Sequence, residues 1–330
     1  MFVTQRLDPD DPDLGAATAL VLALAARVDE LAVLALEGDA SVLPPNAHLR
    51  TFGAATRLGR GLRFAVALAR ELRTRPLAVV AHMSPIYAVL AAPLARPRGV
   101  GVILWFTHWR RSWLLRAAER ACTTVLSVEP GSFPLPSRKL RPIGHGIDLA
   151  DFPCVDRSDH LPPLRVVSLG RTSPAKGLDT IVEGVRLARE RGVDVELEIR
   201  GPSVTAEERE HRDRLGVVEG PVPRREIPAL LGRSDVLVNN MRAGAPDKVV
   251  YEACATCLPV LASNPSLADV LDDELRFARE SPEELAERLE WLAGLTAEQR
   301  SEIGRRLRKR VEEAHSTDTW ADGVVKAAGG

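Results

Sequence analysis

Two short stretches hold side chains whose types and spacing suit phosphate and sugar chemistry. In "SLGRTSPAKGLDTIVEG" an apolar run ends at Gly170, Arg171 follows at once, and Lys176 sits at a helical pattern that opens near Pro174. Glycine lets a backbone approach a ligand closely. A guanidinium, an ammonium and helix N-terminal amides gathered after a strand make a cradle for a diphosphate. The G-x-x-x-x-G-K-[ST] order of a Walker A loop is absent. Two surface cations beside a helix are the ordinary alternative for an isolated Arg and Lys. Composition weighs against that alternative. Only five of the 44 basic residues are Lys (Lys139, Lys176, Lys248, Lys309, Lys326). Lys176 and Lys248 fall in the two candidate loops, and a compact ammonium on a flexible stem suits phosphate.

The second stretch is "NNMRAGAPDKVVYEACATCLPVLASN", residues 239–264, which reads as strand end, loop, short helix, Pro, strand. Pro246 is placed for the first helical position, where the missing N–H is spare. Asp247 suits the positive end of the helix dipole. Glu252 lies four residues after Lys248 on the same face, so an intrahelical ion pair of about 0.2–0.5 kcal/mol is one account. The apolar or small neighbours Val249, Val250, Ala253 and Ala255 support another. A carboxylate partly buried there needs partners, and a ribose diol would satisfy both of its oxygens.

The elements that position these loops alternate along the whole chain. Strand-like runs "FVTQ", "ELAVLAL", "LAVVAH", "GVILWF" and "TTVLSV" are separated by helical patterns near 14–28, 59–75, 84–94 and 110–121. The polar segment "IDLADFPCVDRSDHLPP" interrupts, and "RVVSLG", "VDVELEIRG", "DVLVNN" and "PVLASN" resume. From Ser281 onward the pattern is helical and amphipathic. Such alternation is the signature of parallel α/β architecture, whose ligands bind beyond the carboxyl ends of the strands. At 330 residues the chain exceeds one ordinary core. The expected arrangement is two Rossmann-like domains, 1–155 and 156–315, facing across a cleft. A last segment, 316–330, is expected to pack back on the first domain as a helix.

With 45% hydrophobic and 27% charged residues the composition is that of a globular protein. Residues 1–150 carry 18 Lys+Arg against 12 Asp+Glu, and 50–141 carry 16 against 3. The first half therefore suits an anionic partner. "MFVTQRLDPDDPDLG" lacks a secretory pattern, and Pro85, Pro93 and Pro97 break the longest apolar run. Cys122, Cys154, Cys254 and Cys257 form no spaced framework, which suits a reducing compartment. The expected location is cytoplasmic, peripheral at the inner face of the plasma membrane.

"GRTSPAKGLDTIVEGV" followed by "DKVVYEACATCLPVLAS" resembles glycosyltransferase family four, retaining enzymes of the GT-B fold that use nucleotide sugars. The family pattern runs Gly-Arg, Lys-Gly five residues on, then Glu-x7-Glu into "EAMACGLPV". The resemblance covers most of residues 140–315, and "GHGIDLADF" is similar to the family's Asn-Gly-Ile/Val-Asp segment. It implies that Arg171 and Lys176 contact the donor diphosphate and that Glu252 holds the ribose hydroxyls. It also implies a His after a first-domain strand near the reacting sugar, a position taken by His108 in "ILWFTHW". A packed, hydrogen-bonded His beside Trp is the other reading of His108. The sequence departs from the family in four places, one of them His145 where Asn is common. Gly244 stands where the first Glu belongs, Cys257 replaces a helix-ending Gly, and the first-strand Gly-rich loop is reduced to Gly15. Backbone amides of the "AGAPD" loop, those of Gly244, Ala245 and Asp247 around Pro246, would then take over contacts to the donor sugar.

What the resemblance implies is a metal-independent, hexosyltransferase-type enzyme. Its donor is a UDP-, GDP- or ADP-sugar, it needs no cofactor, and its acceptor is lipid-linked, a glycan or a small molecule. A nucleotide-sugar-binding protein without transfer activity and a GT-B epimerase remain as alternatives. "DPDDPD" at 8–13 contains D-x-D, a divalent-cation signature of the other large glycosyltransferase fold, but Pro stiffens it and a solvated turn is the better reading. "CATC" has no second pair for zinc. Between residues 57 and 75, Arg57, Arg60, Arg63, Arg70 and Arg73 line the polar side of an amphipathic helix, with Glu71 as the local compensating charge. That face reads either as an anionic-membrane or polyanionic-acceptor surface or as solvated exterior. Nucleic acid is not expected, since the stretch holds one aromatic residue, Phe64.

Overall fold

The structure, a computed structural model, describes residues 1–11 and 15–329. Two compact units divide the chain, the first comprising 1–146 with 314–330 and the second 147–313. In the first unit the strands are Phe2–Leu7 (β1), Leu31–Gly38 (β2), Ala47–Thr51 (β3), Ala78–His82 (β4), Gly101–Trp105 (β5), Thr124–Ser127 (β6) and Leu140–Pro142 (β7). Helices Ala16–Ala25 (α1), Arg57–Glu71 (α2), Pro85–Ala95 (α3) and Trp113–Ala121 (α4) connect them. All pairings are parallel, in the order β3-β2-β1-β4-β5-β6-β7. β4 and β6 are buried along their full length. Parallel strands covered by helices on both faces read as continuous apolar runs, and for that reason they were legible.

The second unit repeats the plan with Leu164–Leu169 (β8), Val195–Arg200 (β9), Val218–Glu219 (β10), Val236–Asn239 (β11) and Val260–Ala262 (β12). Its sheet is parallel, in the order β10-β9-β8-β11-β12. The helices are Leu178–Glu190 (α5), Ala206–Leu215 (α6), Ile227–Arg233 (α7), Lys248–Ala255 (α8), Pro282–Gly294 (α9) and Ala297–Ala314 (α10). Caps fix several of their starts: Thr205 and Glu208 form a capping box at α6, and Ser281 accepts from the Glu284 amide at α9 (3.1 Å). The polar segment that begins at Ile147 belongs to this unit. Phe152 is buried, and Arg157 donates to the carbonyls of Leu231, Ser234 and Thr256, each at 2.8 Å.

The last helix, Thr317–Gly329 (α11), packs on α1 of the first unit, as the sequence led us to expect. Arg27, just past the end of α1, pairs with Asp318 (2.8 Å) and Asp322 (2.5 Å) of α11. Trp320 is wholly buried, edge-on to Phe2 at 6.2 Å and to Trp105 at 6.3 Å.

Two expectations need correcting. Cys154 and Cys257 form a disulfide across 103 residues, which leaves Cys122 and Cys254 as free thiols. Spacing could not reveal it, because the pairing depends on the docking of the segment after Ile147. Cys257, at the helix-ending position, adopts a positive φ of 58°. Glu71 does not compensate the Arg-rich face of α2. It turns inward, accepting from Arg50 Nε (2.7 Å) and lying 3.2 Å from His48 Nε2, both on β3.

Replacing Trp320 with Ala removes the largest buried side chain that the terminal helix supplies. It should cost about 3–5 kcal/mol in urea unfolding. A loss below about 1 kcal/mol would contradict the packing described.

Candidate functional site

In the second unit β8 lies between β9 and β11, so the chain leaves β8 toward one side of the sheet while β11 flanks it on the other. Loops at the carboxyl ends of such a pair diverge and open a crevice. Those loops are 170–177 and 240–247, the two stretches that drew attention in the sequence. They are stitched together. The Arg242 amide donates to Ala175 O (3.0 Å), and Asn240 Nδ2 donates to Gly177 O (2.8 Å). Lys176 Nζ is ion-paired to Asp247 Oδ2, which also accepts from Asn239 Nδ2 at 2.8 Å. Gly170 has a φ of 133°, and a Cβ there would come within 2.4 Å of Lys176 Nζ. The Lys176 side chain therefore passes over the strand end against Gly170, where a Cβ would displace its flexible end and where the φ favours glycine.

Arg171 is half-exposed and donates through Nη2 to Glu208 Oε1 at 2.7 Å. Burial alone would raise the Glu208 carboxyl. The amides of Thr205 and Val204, together with the Arg171 guanidinium, outweigh it and hold that carboxyl below its ordinary range. Arg171 is thus anchored at one edge while the rest of its fork stays accessible.

Helix α8 begins two residues later than the sequence suggests. Asp247 is the N-cap in extended conformation and Lys248 the first helical residue, so Pro246 stands before the cap rather than at the first position. The Asp247 side chain makes no capping bond, because it is engaged by Lys176 and Asn239. Pro246 is buried, and Ala245 is partly so. Gly244 has a φ of 118°, where L-side chains are strained, and its carbonyl accepts from Asn264 Nδ2 at 3.1 Å. The loop at the missing-Glu position is shaped for glycine rather than emptied of a side chain.

Glu252 is buried, 3% exposed, on α8. Among the described residues its ion-pair partner is Arg224, not Lys248: Nη1 and Nη2 of Arg224 both donate to Oε1, at 3.0 and 3.1 Å. Arg224 precedes α7, with its guanidinium 5.7 Å from the Phe152 ring centroid. Sequence reading missed it, since "GPVPRREIP" carries no periodic or motif signal and the contact is 28 residues away. Lys248 keeps some exposed surface, yet its ammonium end is buried enough to be pushed down to about 8, with Glu252 the main opposing influence. Burial and then Asp148 push the Asp151 carboxyl upward. Asp148, Asp151, Arg224, Lys248 and Glu252 thus form one coupled cluster beside the loops.

In the first unit His108 follows β5. Its amide donates to Ser132 O (3.2 Å), and its Nδ1 accepts from the Arg110 amide (2.9 Å). The ring stacks on Trp109, with centroids 5.2 Å apart. Burial, then Arg110, depresses its pKa, so the ring is neutral at pH 7 and the tautomer puts the proton on Nε2. Gly15 immediately precedes α1 and donates its amide to Asp11 O at 2.9 Å. Of the Asp-rich turn at 8–13, Pro12 and Asp13 lie outside the described residues, and Asp11 accepts from Arg6 at 3.0 Å. A cavity of about 450 Å³ lies at the carboxyl ends of β1 to β3, lined by Gln5, Arg6, Asp11, Glu37 and Arg60. Along α2, Arg57, Arg63 and Arg70 are exposed and Arg60 is half-buried, and exposed Arg73 lies in the 3-10 turn that follows. Leu58 (89% exposed), Leu62 (69%) and Val66 (46%) form an apolar stripe among them, one helical turn apart. That stripe was not read from the sequence.

The "CATC" thiols offer no metal pair, since Cys257 is oxidised and burial pushes Cys254 up to about 12. Among the described residues no group of three or more His, Cys, Asp or Glu could hold a metal ion, and no helix is long and apolar enough to cross a membrane.

Residues 163–294 match the family model described as Glycosyl transferases group 1. No protein of curated function matches the sequence. Similar solved structures include a sucrose-phosphate synthase from Thermosynechococcus elongatus, at 15% identity and a TM-score of 0.74, over 99% of this chain and 98% of that one. Another is the Anabaena protein HepE in complex with UDP-glucose, at 15% identity and a TM-score of 0.73, over 98% and 97%. A glycosyltransferase from Rickettsia africae matches at 13% identity and a TM-score of 0.71, over 99% and 97%. At such identities the likeness is one of fold, and it extends over both units of the chain.

Proposed function

We propose that the protein is a glycosyltransferase that moves a sugar from a nucleoside diphosphate sugar to an acceptor, with the donor held by the second unit. One observation carries the reading. Two loops at the β8/β11 reversal are tied together by Lys176, which crosses Gly170, with Arg171 beside them and the buried Glu252 carboxylate on the following helix. The family match over 163–294 covers this same region. Arg171 and Lys176 stabilise charge on the departing diphosphate, and Glu252 takes the ribose hydroxyls. Amides of the loop at Gly244 and Ala245 meet the transferred sugar. Lys176 has Asp247 as its partner at rest, so the diphosphate replaces one anion with another and no bare ammonium is buried. His108, neutral with its proton on Nε2, can donate a hydrogen bond to a sugar hydroxyl. Retention at the anomeric carbon and metal independence follow from the resemblance to family four.

A second reading has a specific observation behind it. Because Gly244 is held in a glycine conformation, the carboxylate expected there is absent, which favours nucleotide-sugar binding without transfer.

For the acceptor, we assign the first unit and a lipid-linked substrate at an anionic membrane. Leu58, Leu62 and Val66 project among arginines whose only local acid, Glu71, is turned inward. Each cation near an anionic surface contributes about 1 kcal/mol, and each fully buried Leu about 1.5–3 kcal/mol.

Calorimetry with UDP, GDP and ADP tests the donor site. Lys176→Ala should weaken the diphosphate that binds by roughly tenfold or more, the value of a charge-assisted contact. Wild-type affinity should decline as pH rises from 7 through about 8 and beyond, as Lys248 loses its proton, while Lys248→Met should be flat across that range. Unchanged affinity in Lys176→Ala would remove the cradle, and an affinity level to pH 9.5 would remove Lys248 from it. For the membrane face, Leu58→Glu with Leu62→Glu should reduce binding to phosphatidylserine-containing vesicles by about tenfold or more, and binding should fall with salt. Indifference to lipid charge, salt and both substitutions would leave α2 as ordinary exterior.

A further inference from the structure

Arg224 lies outside every stretch the sequence assigned to the donor, yet it determines how Glu252 is held. The backbone of Glu252 is fixed on α8 between wholly buried Tyr251 and Ala253, so only side-chain rotation can aim the carboxylate. Both terminal nitrogens of Arg224 converge on Oε1, at 3.0 and 3.1 Å. A fork-to-fork pair would engage both carboxylate oxygens. Here neither nitrogen bonds Oε2.

The guanidinium is in turn located by other groups. It lies over the Phe152 ring, and the Phe152 carbonyl accepts from Arg308 Nη1 at 2.8 Å. Two residues on, Cys154 is bonded to Cys257, which follows the same α8. A ring of contacts thus runs from Glu252 through Arg224, Phe152, Cys154 and Cys257 back to the helix that carries Glu252. Glu252 has a single guanidinium partner set by packing elsewhere, rather than a mobile surface cation.

We propose that Arg224 is a positioning residue for nucleotide recognition: it clamps Glu252 by Oε1 and so presents Oε2 to the ribose hydroxyls of a nucleoside diphosphate. This rests on the donor-site reading above. The side chain does not itself contact the reacting atoms, and its effect passes through Glu252. The competing geometry has Arg224 occupying the ribose position and leaving when nucleotide binds.

The test compares UDP, GDP and ADP with their 2′-deoxy counterparts by calorimetry, in wild type, Arg224→Ala, Arg224→Lys, Glu252→Gln and the Arg224→Ala/Glu252→Gln pair. Wild type should prefer the ribose form by roughly tenfold or more, as expected for a hydrogen bond to a charged acceptor. Glu252→Gln and Arg224→Ala should each lose most of that preference while still binding through the diphosphate, and the pair should lose little more, because the residues act as one unit. Arg224→Lys keeps the charge without the two-nitrogen grip. It should melt with the wild type and show a reduced preference, which separates positioning from a folding defect. A full wild-type preference in either Arg224 variant overturns the proposal, as does tighter nucleotide binding by Arg224→Ala. If wild type binds diphosphates without preferring ribose, the role of Glu252 fails and this inference with it. If it binds none of them, the donor-site reading fails first.

Discussion

The arrangement of the second unit depends on one topological fact, that β8 and β11 are hydrogen-bonded parallel neighbours although three crossovers separate them in sequence. The next connection from β8 goes to β9 on one side, and the chain returns to β11 on the other. The two carboxyl-end loops therefore have no neighbour between them but each other. Backbone groups at such a point have to be satisfied by partners from the opposite loop or by a ligand. Here the Arg242 amide and Asn240 supply those partners, and Lys176, lying over Gly170, adds an ion pair to Asp247. A helix starting close by adds Lys248 and Glu252 to the same region.

The charges at this place come in pairs. Arg171 has Glu208, Lys176 has Asp247, and Arg224 has Glu252. Buried or half-buried cations without such partners would cost several kcal/mol each. Pairing lets the unit fold with its cations in place, and at Lys176 it gives the proposed diphosphate a carboxylate to displace, while the Arg224–Glu252 pair stays intact. Lys248 is the exception, because burial lowers its pKa to about 8 despite nearby acids. It is the group at this site most sensitive to pH near neutrality and to a newly bound anion.

Legibility in the sequence followed locality. Buried parallel strands such as "AVVAH" and "VLVN" show as apolar runs, and the loops after β8 and β11 carry their chemistry in consecutive residues. Short strands β3, β7 and β10 were not read, since "AHLRT", "LRP" and "VE" hold little apolar pattern. In β3 the polar residues His48 and Arg50 exist to meet Glu71, a contact that helix periodicity cannot show. Arg224 and the Cys154–Cys257 bond were missed for the same physical reason, because each joins segments that only the folded chain brings together. The start of α8 was misplaced because Asp247 serves Lys176 instead of capping with its side chain. The exposed Leu58–Leu62–Val66 stripe was masked by the arginines around it.

The central claim is that the β8/β11 loops hold a nucleoside diphosphate sugar. A crystal structure of the protein soaked with UDP-, GDP- or ADP-sugar tests it most directly. The account predicts diphosphate density at the end of β8, with an oxygen within about 3.2 Å of Lys176 Nζ and the ribose at Glu252. Diphosphate density elsewhere, for example in the first-unit cavity lined by Arg6 and Arg60, would contradict it.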